Sequence, residues 1–123
     1  MAYRGFRDLK VFQLSYRLGL EIFELTKSFP KEELYSLTDQ IRRLSRSVPA
    51  NIAEAWRKRK YPKHFVGKFT DCLAEESETE VWLDYSKDLK YLGEEKYDYF
   101  LSQYDEVARM LVSMIDNPNK FCH

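Results

Sequence analysis

Four stretches of this 123-residue chain carry apolar residues at spacings of three and four, and only short breaks containing Pro or Gly separate them. That period places the apolar side chains of each stretch on one face of an α-helix. With four Gly and four Pro in the whole chain, neither a turn-rich β architecture nor a disordered chain fits, and 44% apolar residues supply the material of a core.

The first stretch, about 8–28, carries two adjacent stripes: Leu9, Phe12, Tyr16, Gly19 and Phe23, and beside them Val11, Leu14, Leu18, Ile22 and Leu25. Two stripes are wider than one bundle seam needs, which points to burial on more than one side and so to self-association. Asp8 is the expected N-cap, and Pro30 excludes a helical conformation at Phe29. The second stretch, about 37–59, runs through Leu37, Ile41, Leu44, Val48, Ile52 and Trp56. Pro49 sits inside it and removes one backbone hydrogen bond, but the stripe keeps its phase across the proline. A helix kinked at Pro49 is therefore expected rather than two helices.

Pro62 suits the first turn of a third helix, about 63–92, with Phe65, Phe69, Cys72 and Leu73 in its first half and Val81, Trp82, Tyr85, Leu89 and Leu92 in its second. Gly93 is the expected C-cap. The fourth stretch, about 94–116, reads Tyr97, Phe100, Leu101, Tyr104, Val107, Ala108, Leu111, Met114 and Ile115 before Asn117-Pro118 stops it. Short connections favour antiparallel neighbours. The expectation is an all-α, antiparallel, up-down-up-down four-helix bundle that occupies 1–123 as a single domain.

Twenty basic and twenty acidic side chains cancel, yet they are not evenly spread. Residues 37–60 hold Arg42, Arg43, Arg46, Arg57, Lys58, Arg59 and Lys60 against Asp39 and Glu54, a local charge of +5, and residues 61–100 carry −5. Arg42 and Arg46 share a helical face with Arg43 beside them, and Arg57 to Lys60 form a run where the helix meets a turn. Such a set suits phosphate contacts, because each neutralised phosphate releases counterions. Pairing of Arg42, Arg43 or Arg46 with the acidic third helix is the alternative.

Little points to catalysis. His64 and His123 are the only histidines, and no Gly-rich phosphate loop occurs. Cys72 falls on a core stripe and reads as a small buried hydrophobe. Asp71, Glu75, Glu76, Glu78 and Glu80 lack the Glu-x-x-His pairs of a carboxylate-bridged metal bundle and read as a solvated or ion-paired face. Tyr3, Tyr61, Tyr91 and Tyr99 suit stacking on bases, contact between subunits, or plain bundle packing. Neither a cofactor nor a metal is expected. The two cysteines lie far apart, and the N-terminus MAYRGFRDLK has no apolar core of signal-peptide length, so a reducing cytoplasm and no membrane are expected.

The stretch ELYSLTDQIRRLSRSVPANIAE from Glu33 to Glu54, with FRDLKVF from Phe6 and DLKYL ending at Leu92, resembles the bacterial four-helix bundle proteins encoded in intervening sequences of 23S ribosomal RNA genes. The resemblance covers nearly the whole chain. It implies a homopentameric ring without catalysis. The family is similar in turn to the accessory protein of diversity-generating retroelements, whose basic surface engages nucleic acid and a reverse transcriptase. Gln40, Arg42, Arg43, Pro49, Asn51, Glu54 and Glu78 match family positions, with Asn51 and Glu54 open to either a helix-joining or a partner-touching role. Two family glycines are replaced by Ala55 and Arg57, which should extend the second helix, and a pair of small residues on the third helix is here Ala74 and Glu75. The function expected is a non-catalytic oligomeric adaptor that binds RNA or DNA through Arg42, Arg43, Arg46, Arg57, Lys58, Arg59 and Lys60. A protein-protein scaffold without nucleic-acid affinity is the rival.

Overall fold

The computed structural model describes residues 4–122, so Tyr3 and His123 lie outside the described residues. Four helices follow one another: α1 (Lys10–Thr26), α2 (Leu37–Arg57), α3 (Pro62–Asp88) and α4 (Glu94–Asp116). Short 3-10 turns precede α1 at Gly5–Asp8, join α1 to α2 at Lys31–Glu33 and follow α4 at Pro118–Lys120. α2 packs on α1 and α3, and α4 closes the ring by packing on α3 and α1, an all-α four-helix bundle with α1 and α3 at opposite corners. No described helix is long and apolar enough to cross a membrane.

Pro49 lies within one continuous α2 and is buried. Its missing N–H leaves the Ser45 carbonyl without its usual helical partner, and that carbonyl faces α1 at Gly19. A Cβ at Gly19 would stand 3.4 Å from the Ser45 oxygen, so the two helices meet closely where the proline has freed an acceptor.

Three boundaries differ from the sequence expectation. Asp8 does not cap α1. The chain first makes the Gly5–Asp8 turn, Asp8 accepts the Arg4 backbone N–H at 2.8 Å, and extended Leu9 occupies the N-cap with no side-chain cap bond. Gly93 does not end α3 either. The helix stops at Asp88, Lys90 takes the left-handed conformation (φ 67°), and the N–H groups of Tyr91 and Lys90 donate to the carbonyls of Ser86 and Lys87. This is the Schellman arrangement, built on a lysine three residues before Gly93, and Gly93 becomes the N-cap of α4. Finally, α2 ends at Arg57 and not Arg59.

The core of α3 also runs differently. Phe65, Phe69, Cys72, Glu76, Thr79, Leu83 and Ser86 are buried, whereas Val81, Tyr85 and Leu89 are exposed. Glu76 is therefore not part of a solvated face: four residues after Cys72 and seven before Leu83, it stands on the helix's core line and is 1% exposed. Among the described residues no hydrogen-bond partner reaches either oxygen, and the buried Tyr104 hydroxyl is likewise without one. Burial first, then the neighbouring Glu80 carboxyl and the charge of Asp105, push the Glu76 carboxyl up to about 9, so it is protonated at neutral pH.

Candidate nucleic-acid interface

In an antiparallel bundle the start of α1, the end of α2, the start of α3 and the turn after α4 share one end. Nine basic side chains collect there: Arg4, Arg7, Lys10, Arg57, Lys58, Arg59, Lys60, Lys63 and Lys120. Arg4 pairs with Asp8, and Lys68 nearby pairs with Glu54 at 2.8 Å. Among the described residues, none of the other eight basic side chains has a carboxylate within ion-pair distance.

Aromatic rings hold several of these cations in place. Arg7 and Arg57, fifty positions apart, lie 4.5 and 5.9 Å from the centroid of the same Phe6 ring. Arg59 lies 4.1 Å over the Trp56 ring, and its Nε donates to the Trp56 carbonyl at 3.0 Å. Stacking occupies the face of a guanidinium and leaves its in-plane N–H groups to donate outward, the geometry that suits phosphate oxygens. Phe121, from the turn after α4, meets Trp56 edge-on and stacks with Phe65, both at 6.2 Å, so the C-terminal segment braces this end.

The seven arginines and lysines singled out from the sequence fall into two groups. Arg57, Lys58, Arg59 and Lys60 belong to the basic end. Arg42 and Arg46 sit eleven or more residues back along α2, roughly 16 Å or more from Arg57 at 1.5 Å per residue. They flank another ring, with guanidinium carbons 4.6 and 5.5 Å from the Phe23 centroid, while Arg42 Nε donates to Thr26 Oγ1 at 2.7 Å. Arg43 is exposed. None of the three pairs with an α3 carboxylate among the described residues; the α3 contacts are made instead by Asn51, which donates to Glu75 at 2.6 Å, and by Glu54, which receives Lys68. Both motif residues thus join helices.

Of the tyrosines, Tyr61 and Tyr99 are exposed, and Tyr99 donates to Glu21. Tyr91 instead packs on Phe29 and donates to Glu33 at 2.9 Å. Burial pushes the Cys72 thiol up to about 12, and no described group of three or more His, Cys, Asp or Glu could hold a metal ion. Sequence reasoning missed Arg4, Arg7, Lys10, Lys63 and Lys120. Each stands beside a helix boundary, and the antiparallel order already puts those boundaries at one end.

No match was found among curated proteins. A solved structure described as a protein of unknown function from the S23 ribosomal protein family of Bacteroides thetaiotaomicron superposes with a TM-score of 0.78 at 29% identity, over 86% of this chain and 95% of the other. The model of the 23S rRNA-intervening sequence proteins matches residues 7–113, most of α1 through α4. With most of its length matched in this way, the chain belongs to the 23S rRNA-intervening sequence protein family.

Proposed function

We propose that the protein is a non-catalytic, oligomeric bundle that binds RNA through its basic end. The observation that carries this reading is the gathering of nine basic side chains at one end of a chain whose net charge is zero, most of them without a pairing carboxylate among the described residues. Arg57 and Arg59 are braced on rings, Lys60 is exposed, and Lys58 feels the charge of Glu54. Arg42, Arg43 and Arg46 contribute only to a strand that continues along α2. Contacts of this kind read backbone charge and shape, with little base preference. Assembly as a ring of identical chains, five in the family resemblance, would repeat the basic end around an axis. The site of action on this reading is the cytoplasm.

The test is RNA binding over a salt series for the native chain and for the triple variant Arg57→Gln, Lys58→Gln, Lys60→Gln, which spares the Arg59 contact with Trp56. The variant should bind all sequences more weakly, and its salt slope should fall by up to about 0.7 per lost single-strand contact. Unchanged affinity and slope would sink the reading. The second reading, a protein scaffold with no affinity for RNA, draws on the exposed apolar side chains of α1 and α3, and absence of RNA binding by a well-folded oligomer would favour it.

A further inference from the structure

Two exposed apolar surfaces occupy opposite corners of the bundle, and they differ in shape and in charge. On α1, Tyr16 and Leu20 are 54% and 57% exposed. With Gly19, Phe23 and Pro49 they line an apolar groove between α1 and α2, bordered by Arg46. The groove exists because Gly19 offers no side chain and the helices approach closely there. On α3, Val81, Tyr85 and Leu89 are 48%, 53% and 48% exposed. Spaced four apart along α3 and its C-cap, they make an exposed ridge, whose Tyr85 and Leu89 border a cleft with Tyr35, Leu37 and Gln40 at the start of α2. Glu78 and Asp88, both exposed, stand on the same side of α3 as the ridge.

α1 and α3 sit at opposite corners, each packing on α2 and α4, so the groove and the ridge are two separate surfaces on either side of α2. No part of the chain covers either among the described residues. A groove bordered by arginine and a ridge accompanied by carboxylates complement each other in form and charge, whereas groove on groove would bring like charges together and leave both ridges in water. We propose that the α3 ridge of one copy of this chain seats in the α1/α2 groove of the next, a head-to-tail contact that each copy makes twice. Such a contact uses two different surfaces and so generates rings or open chains of subunits. The proposal rests on the oligomeric reading above and adds which surfaces meet.

The experiment uses full-length chains, light scattering after size exclusion, and circular dichroism to confirm the helical fold of each variant. Leu20→Glu blocks the groove, and Val81→Ser/Tyr85→Ser blocks the ridge. All three sites are exposed, and Arg46→Glu is a second groove variant at a side chain outside the core. Each blocked chain should run alone as a monomer where the native chain runs as an oligomer. An equimolar mixture of groove-blocked and ridge-blocked chains retains one intact groove and one intact ridge, so it should form a two-chain species and nothing larger. A ridge variant that keeps the native size, or a mixture that stays monomeric, overturns the head-to-tail pairing while leaving the oligomeric reading standing. A native chain that is itself monomeric overturns both.

Discussion

The side-chain amide of Asn51 on α2 donates to the Glu75 carboxylate on α3 across 2.6 Å. Asn51 belongs to the motif shared with the family, but Glu75 stands where the resemblance leads one to expect a small residue. The bond therefore joins a position that follows the resemblance to one that departs from it. Asn51→Ala should cost about 1–2 kcal/mol, the loss of a hydrogen bond to a charged group less Ala's better helix propensity. The melting temperature should fall by several degrees without loss of helix content below the transition.

Glu76 makes stability depend on pH in the alkaline direction. Its folded-state value, about 9, lies above the unfolded 4.5, so between these limits the unfolded chain has released a proton that the folded chain retains. Stability should be full below about pH 4.5 as far as this group is concerned, and decline through the window by up to about 1.4 kcal/mol per pH unit. Glu76→Gln should flatten the decline and be more stable than the native chain at pH 8, read by urea unfolding at pH 5, 7 and 9. A native profile that rises over that range would contradict the assignment. Glu33 and Glu54, held below their ordinary value by Ser36 and Lys68 respectively, act in the opposite sense and only in acid.

Lys90 holds a left-handed conformation at φ 67° to end α3. Glycine takes that conformation without the Cβ penalty, so Lys90→Gly should raise stability by up to about 1 kcal/mol. Thermal denaturation measures it, and a lower melting temperature would count against the helix ending here.

The two thiols should react at different rates. Cys72 is fully buried, and burial pushes its thiol up to about 12; Cys122 is half-buried near the C-terminus, with a smaller rise that Arg59 opposes. A thiol reagent at neutral pH should modify Cys122 in the native protein and reach Cys72 only on unfolding. Mass mapping of the labelled peptides distinguishes them.

The helical class, its four segments and the continuity of α2 through Pro49 were legible in the sequence because each rests on a local period. Helix ends were less so. Gly93 looked like the stop for α3, but Leu92 is buried, and the chain turns earlier, on Lys90, to place it there. The error on α3 had another cause: Val81, Tyr85 and Leu89 are apolar and regularly spaced, so they resembled a core stripe, whereas the true line passes through Glu76, Thr79 and Ser86. A polar core line hides from any search for apolar periodicity. At the basic end the Arg57 to Lys60 run was visible as a run. Arg7 was not, because only folding brings Arg57 to the Phe6 ring that Arg7 adjoins in the chain.

The separation of charge carries a consequence for handling the molecule. A chain with zero net charge should pass through an ion-exchange column, but columns meet surfaces and not sums. Here a resin of either sign finds a pole of opposite sign: sulfonate beads can take the Arg57 end, and quaternary-amine beads the carboxylates of α3 and α4. Retention on both supports at the same pH, with each lost at modest ionic strength, is the behaviour of an electrostatic dipole.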